Sequence, residues 1–219
     1  MRRTVLSPVI GSVILLIILT LRSQAAQFSE KGKNGVLDYH NEIRSEVAHG
    51  NFVTKAETKR PSGGNMKKMT WNQSLANSAD AFARKNPTNH SGSVGIGENI
   101  YWHWTTKQTD FNTFGVMAAI SWIKEFKDIG WDTTVLTEEL FRSGVGHATQ
   151  MVWADTDQLG CAYSAVNQTH PIKKRKITKI SVVCHYWPKG NFLNEPIYAE
   201  GESCSKCSSE KCDNGLCTV

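Results

Sequence analysis

The chain has 219 residues, of which 40% are hydrophobic and 21% charged, with 6 Cys and a formal net charge of +5. That length suits one domain with a substantial core and is short for two. The 7 Trp, 8 Phe and 5 Tyr, scattered along it, exclude collagen, coiled coil and wholesale disorder.

The first 25 residues read as a secretory signal peptide. Arg2 and Arg3 form a basic start, residues 5–21 are largely apolar, and Ser23 and Ala25 sit at the minus-three and minus-one positions of a small-residue cleavage site. No later apolar run approaches the roughly 18 residues of a membrane span, so the mature chain is expected not to be an integral membrane protein. Cleavage removes three arginines and no acidic residue, leaving 22 basic against 20 acidic residues and a net charge of +2 over 194 residues. The charge argument for nucleic acid then falls away. Sequons at Asn72, Asn89 and Asn167 fit an exported, glycosylated chain.

Residues 26–33 lead into the first helical pattern, which runs from Asn34 with Val36, Leu37, His40, Ile43 and Val47 on one stripe and Asp38, Glu42 and Arg44 off it. Asn72 caps a second helix carrying Leu75, Ala79 and Phe82, which ends before Asn86-Pro87. Residues 99–104 are an aromatic-rich strand. Thr113 caps a third helix with Met117, Ile120 and Phe126 on its apolar side and Trp122 beside them. A short helix over 147–153 precedes strands at 160–166 and 179–187, joined by a polar hairpin tip at 167–176 that carries Lys173, Lys174, Arg175 and Lys176. Helices flanking a small antiparallel sheet predict an α+β sandwich.

Residues 201–219 hold four cysteines and no aromatic residue, a tail unable to build its own apolar core. Cys204, Cys207, Cys212 and Cys217 have spacing close to a zinc knuckle, with Cys where His is expected. The signal peptide favours disulfides instead, because an exported chain meets an oxidising compartment. Cys161 and Cys184 fall on adjacent predicted strands and could form a third bridge.

Five segments carry the chemistry. They are His40-Asn41-Glu42-Ile43-Arg44; His90-Ser91 followed by Gly97-Glu98-Asn99-Ile100-Tyr101; Trp122-Ile123-Lys124-Glu125; Gly146-His147-Ala148-Thr149-Gln150-Met151-Val152-Trp153; and Cys184-His185-Tyr186-Trp187-Pro188-Lys189-Gly190-Asn191. In this order they resemble the CAP superfamily of cysteine-rich secretory, antigen-five and plant pathogenesis-related class-one proteins, in the venom allergen-like form that parasitic worms export. The resemblance covers residues 34–200, and the tail at 201–219 resembles the hinge that follows this domain. It implies an α–β–α sandwich whose cleft holds His90, Glu98, Glu125 and His147. His90 and His147 would bind a divalent cation, zinc or magnesium, with the glutamates orienting the ligands or water.

The resemblance also implies a sterol or fatty acid as ligand. The segment of Tyr101, Trp102, Trp104, Phe111 and Phe114 holds more aromatic surface than a small strand and loop need. Two departures from the family pattern stand out. Ala148 follows His147 where an aromatic residue is usual, which should open the cleft floor. Asn86 stands where a Cys often precedes the His-Ser pair, which leaves Cys161 to pair with Cys184 or stay free.

The expected function is a secreted effector or immunomodulator that binds lipid and a divalent cation, acts outside the cell through an extracellular receptor, and catalyses nothing. The alternative is a metal-dependent extracellular protease using the His/Glu tetrad. Against it, the chain has no HExxH motif and no recognisable nucleophile. Ser91 adjoins His90, but neighbours in sequence rarely form a Ser–His pair.

Overall fold

A computed structural model describes residues 24–107, 109–169, 172, 174–209 and 211–218. Most of the expected signal peptide, together with His170 and Lys173, lies outside the described residues.

The architecture is an α–β–α sandwich. Strand β1 (Gln24–Gln27), β3 (Gly97–Thr105), β4 (Gln158–Thr169) and β5 (Lys176–Trp187) form an antiparallel sheet in the order β1-β4-β5-β3, and β2 (Thr70–Trp71) joins β4 in parallel. The β4–β5 hairpin is paired from Gln158↔Trp187 to Thr169↔Lys176, longer at both ends than sequence alone suggests. Ala26 and Gln27, which follow the expected cleavage point, pair with Tyr163 and Ala162.

Helix α1 (Glu30–Ala48) starts four residues earlier than its apolar stripe indicates, because Ser29 accepts from the Gly32 N–H and caps it. Helix α2 (Gln73–Ala83) starts where expected. The Asn72 Oδ1 accepts from the N–H groups of Ser74 and Leu75, and its Nδ2 donates to Gln158. Helix α3 (Phe114–Asp128) corrects the predicted stripe. Met117 and Ile120 are 37% and 46% exposed, while Phe114, Gly115, Ala118, Ala119, Trp122, Ile123 and Phe126 are buried. Alanine and glycine carry the packing face there, and a search for large apolar residues passes over them. Thr113 makes no side-chain cap. A five-residue helix α4 (Glu138–Arg142), capped by Thr137, escaped the sequence pattern, and α5 (Gly146–Met151) matches the expected short helix.

Helices α1, α3 and α5 share the main core with one sheet face. On the other face α2 packs Ala79 and Ala83 over Ile100, Ala162 and Val183. No helix among the described residues is long and apolar enough to cross a membrane.

Cys161 and Cys184, directly opposed on β4 and β5, are bridged. The tail pairs Cys204 with Cys212 and Cys207 with Cys217 around the small hairpin of β6 (Cys212–Asp213) and β7 (Leu216–Cys217). Three of these sulfurs, from Cys204, Cys207 and Cys217, lie within 4.8 Å of one another, but none is a thiolate able to hold zinc. The tail borrows the domain's core rather than building one. Leu216 is buried there, and Ser45 and Ser203 hydrogen-bond the Asn214 and Ala48 carbonyls.

Candidate functional site

The tetrad assembles around β3, an edge strand of the sheet. Successive strand residues point to opposite faces. Glu98 therefore lies on the α2 side, while Asn99 reaches the α3–α5 side, where its Nδ2 donates to the His147 carbonyl at 3.0 Å and to the Tyr186 hydroxyl at 3.2 Å. His90 comes from the loop between α2 and β3, Glu125 from α3, and His147 from the first turn of α5.

Each histidine is held by one glutamate. His90 Nδ1 donates to Glu98 Oε1 at 2.8 Å, and His147 Nδ1 donates to Glu125 Oε1 at 2.6 Å. A carboxylate can only accept here, so both rings carry their proton on Nδ1 and present Nε2 as the lone-pair atom. Glu125 Oε2 accepts from the His147 and Ala148 N–H groups at 3.1 and 3.0 Å, supplying the α5 terminus with the cap that Val145 lacks. Glu98 Oε1 also accepts from the Ser91 N–H at 2.8 Å, and its Oε2 accepts from His185 Nε2 at 3.1 Å. Burial pushes the Glu98 carboxyl up, but the hydrogen bonds from His185, His90 and Ser91 outweigh it and hold the group well below the usual carboxylate range. The bond to Glu98 in turn raises His90 above its ordinary value.

The two imidazoles lie 6.2 Å apart centroid to centroid. One tetrahedral ion bound at about 2.0–2.1 Å through both Nε2 atoms needs ring centroids roughly 5 Å apart. The observed separation is about 1 Å wider, and the His90 side chain, 58% exposed, is the ring with room to move. Both rings have the carboxylate–histidine arrangement that fixes the tautomer of a metal ligand. The residues present therefore fit a divalent cation. Trp122 stacks on His147 at 6.0 Å. Ala148 does not open the cleft floor: it is fully buried in the main core. The Ser91 hydroxyl donates to Ser93 and not to a histidine.

Behind the cleft, His40 Nδ1 donates to the Val36 carbonyl at 2.7 Å, and its Nε2 faces the Tyr186 hydroxyl at 3.0 Å. Burial pushes the His40 pKa down from 6.5 to about 4 and the Tyr186 pKa well above its usual value. Because the folded pKa of His40 is depressed, its neutral form supports the fold fully above about pH 6.5, and that support is lost as pH falls toward 4. The shift corresponds to roughly 3 kcal/mol. Urea unfolding at pH 7 and pH 5 should show a clear loss at pH 5 that is markedly smaller in His40→Gln. The raised His90 works in the opposite sense, and an identical pH slope in the variant would refute the assignment to His40.

The aromatic residues of the lipid expectation divide between the two faces. Tyr101, Phe111 and Phe114 belong to a run of rings with Phe28, Tyr163 and His103, with neighbouring centroids 5.1–6.3 Å apart. Phe114 is buried in the core. Trp102 packs against the α2-side cluster and donates to the Pro87 carbonyl, whereas Trp104 is 52% exposed.

Two residues of the quoted motifs have roles that sequence reasoning did not assign. His185, directly opposite Glu98 in the β3–β5 register, is buried against it. Arg44, placed off the apolar stripe, is fully buried and donates to five backbone carbonyls. Strand register would have revealed the first; no periodicity signals the second.

Residues 37–186 match the CAP family, described as the cysteine-rich secretory protein family. Scoloptoxin SSD43 of Scolopendra dehaani is 30% identical over 94% of this chain and 98% of its own length. Ancylostoma secreted protein of Ancylostoma caninum is 34% identical over 84% of this chain and 43% of its own length. Among solved structures, that of NaASP2 with Zn2+ superposes with a TM-score of 0.75 at 34% identity, covering 87% of this chain and 97% of the other. BmVAL-1 gives 0.76 at 33% identity, covering 88% and 96%. The five motifs, the three-layer sandwich built from them and a match through most of that sandwich lead to one assignment: the chain belongs to the CAP family of cysteine-rich secretory proteins and is of the venom allergen-like kind.

Proposed function

We propose that this protein is an exported, extracellular effector whose cleft binds a divalent cation through Nε2 of His90 and His147, and that it performs no hydrolysis. Relatives named as a scoloptoxin, a salivary antigen and a secreted protein support the compartment, as do three disulfides. The observation that carries the cation reading is the matched pair of Nδ1–carboxylate bonds. Among the described residues no hydrogen bond engages Nε2 of either ring. The zinc named for NaASP2 points the same way.

A bound zinc would supply Lewis acidity, but the protein groups around it do not suit proteolysis. Two histidines are one protein ligand short of the usual catalytic set. Each glutamate already accepts three hydrogen bonds, and Glu98 is driven away from the near-neutral pKa of an effective general base. The two carboxylates orient imidazoles.

Calorimetric titration of the purified protein with zinc should give one site per chain, and that site should vanish in the His90→Ala/His147→Ala double variant. Equal zinc uptake by both proteins would sink the reading. Exposed Asn89 and Asn167 are the sequons we favour as glycan carriers, since Asn72 Oδ1 caps α2 and its Nδ2 donates to Gln158.

Lipid carriage is the second reading, favoured by the continuous run of rings through Tyr163, Phe111, Phe114 and His103. Saturable uptake of a fluorescent sterol, weakened by Phe111→Ala, is the expected result. Uptake that never saturates would count against it.

A further inference from the structure

The two halves of the cleft are built differently. Glu125 is anchored by backbone, because its Oε2 takes the N–H groups of His147 and Ala148. Glu98 has no backbone donor on its Oε2; that oxygen is held by His185 Nε2 at 3.1 Å. His185 is 1% exposed and lies opposite Glu98 across the β3–β5 pair. Its other ring nitrogen meets the Ser78 hydroxyl of α2 at 3.1 Å. With Ser78 donating to Nδ1, the proton stays on Nε2, aimed at Glu98.

We propose that His185 is a positioning residue for the cation site. It fixes the Glu98 carboxylate so that Oε1 stays available to the His90 ring, a role that rests on the cation reading given above. The His90 side chain is 58% exposed, and its only hydrogen bond among the described residues is the one to Glu98. The direction of its Nε2 therefore depends on Glu98, whose Oε1 is also held by the Ser91 N–H and whose Oε2 is held by His185. The chain Ser78–His185–Glu98–His90 ties the seating of α2 to the geometry of the site. Loss of a partner behind a metal ligand typically costs about 10–100-fold in affinity.

The test is zinc titration of wild type, His185→Phe, His185→Gln and Ser78→Ala, with 15N-detected resonances of the His90 and His147 rings recorded on metal-free protein. His185→Phe keeps the buried volume without the donor and should weaken zinc binding by about 10–100-fold. His185→Gln, whose amide N–H can reach Glu98, should recover affinity to within a few-fold of wild type. Ser78→Ala should fall between them, and it carries the test if the Phe variant does not fold. In the variants that weaken binding, the His90 Nδ1–H signal should shift or broaden while that of His147 stays put, a split that general destabilisation would not produce. Wild-type affinity in His185→Phe or Ser78→Ala, or equal disturbance of both histidines, overturns the proposal. If wild type itself binds no more zinc than the His90→Ala/His147→Ala variant, the cation reading fails. The metal-free His90 signal then still decides whether His185 sets that ring.

Discussion

Arg44→Met is expected to lower the unfolding free energy by about 5 kcal/mol, enough to unfold much of the protein at ambient temperature. The Arg44 guanidinium is fully buried and uses all five N–H donors on backbone carbonyls: Nε on Lys67, one terminal nitrogen on Met151 and Trp153, the other on Ala154 and Thr156, at 2.8–3.0 Å. No carboxylate among the described residues hydrogen-bonds it. Its pKa is pushed down to about 9 by burial, against the fields of Asp157 and Asp155, so it remains charged at neutral pH. Methionine fills the volume but leaves the carbonyls without donors, each costing about 1–3 kcal/mol when buried, less where water enters or an existing bond is shared. Four of these carbonyls belong to residues 151–156, which carry the chain out of α5 and into β4, and the fifth, that of Lys67, lies just ahead of β2. Arg44→Lys, with three donors and no planar fork, should fall between the two. Urea unfolding at pH 7 measures all three proteins. A loss below about 1 kcal/mol for Arg44→Met would show that the network contributes little.

The second large effect is expected at Gly160. A Cβ there would stand 2.2 Å from the Ala76 nitrogen and 2.6 Å from the Asn72 carbonyl oxygen and the Leu75 carbonyl carbon. All three are backbone atoms at the start of α2, so no rotamer change relieves the contact. Gly160→Ala must lift α2 from β4, which opens the packing of Ala79 and Ala83 over Ala162 and Val183 and draws Ser78 away from His185. Overpacking of this severity costs about 3 kcal/mol or more. Hydrogen exchange should show α2 amides losing protection ahead of those in α1. Unchanged exchange in α2 would contradict this account of how the helix is seated.

Much of this was legible in the sequence, for identifiable reasons. The motif order names His90, Glu98, Glu125 and His147, and the structure brings these four together as two hydrogen-bonded His–Glu pairs. Asn72 gave the start of α2 because capping is a local interaction between a side chain and the next few N–H groups. What stayed hidden depended on partners distant in the chain. Arg44 reads as a surface residue on a helical wheel, and only its convergence with carbonyls more than 100 residues away explains its burial. His185 gains its role from strand register across 87 positions. The face of α3 was misjudged because glycine and alanine pack closely without adding hydrophobic weight, while Met117 and Ile120 point outward. Leu216 of the tail enters the main core, a contact that no local pattern in the tail signals.

The central claim is that one divalent cation sits between His90 and His147. Crystals of the mature protein grown or soaked with zinc, with diffraction recorded on both sides of the zinc absorption edge, test it most directly. The account predicts one strong anomalous peak about 2.0–2.1 Å from Nε2 of both rings, with the Nδ1 atoms still bonded to Glu98 and Glu125. A cleft without anomalous signal at saturating zinc, or a peak bound to one histidine and remote from the other, would contradict it.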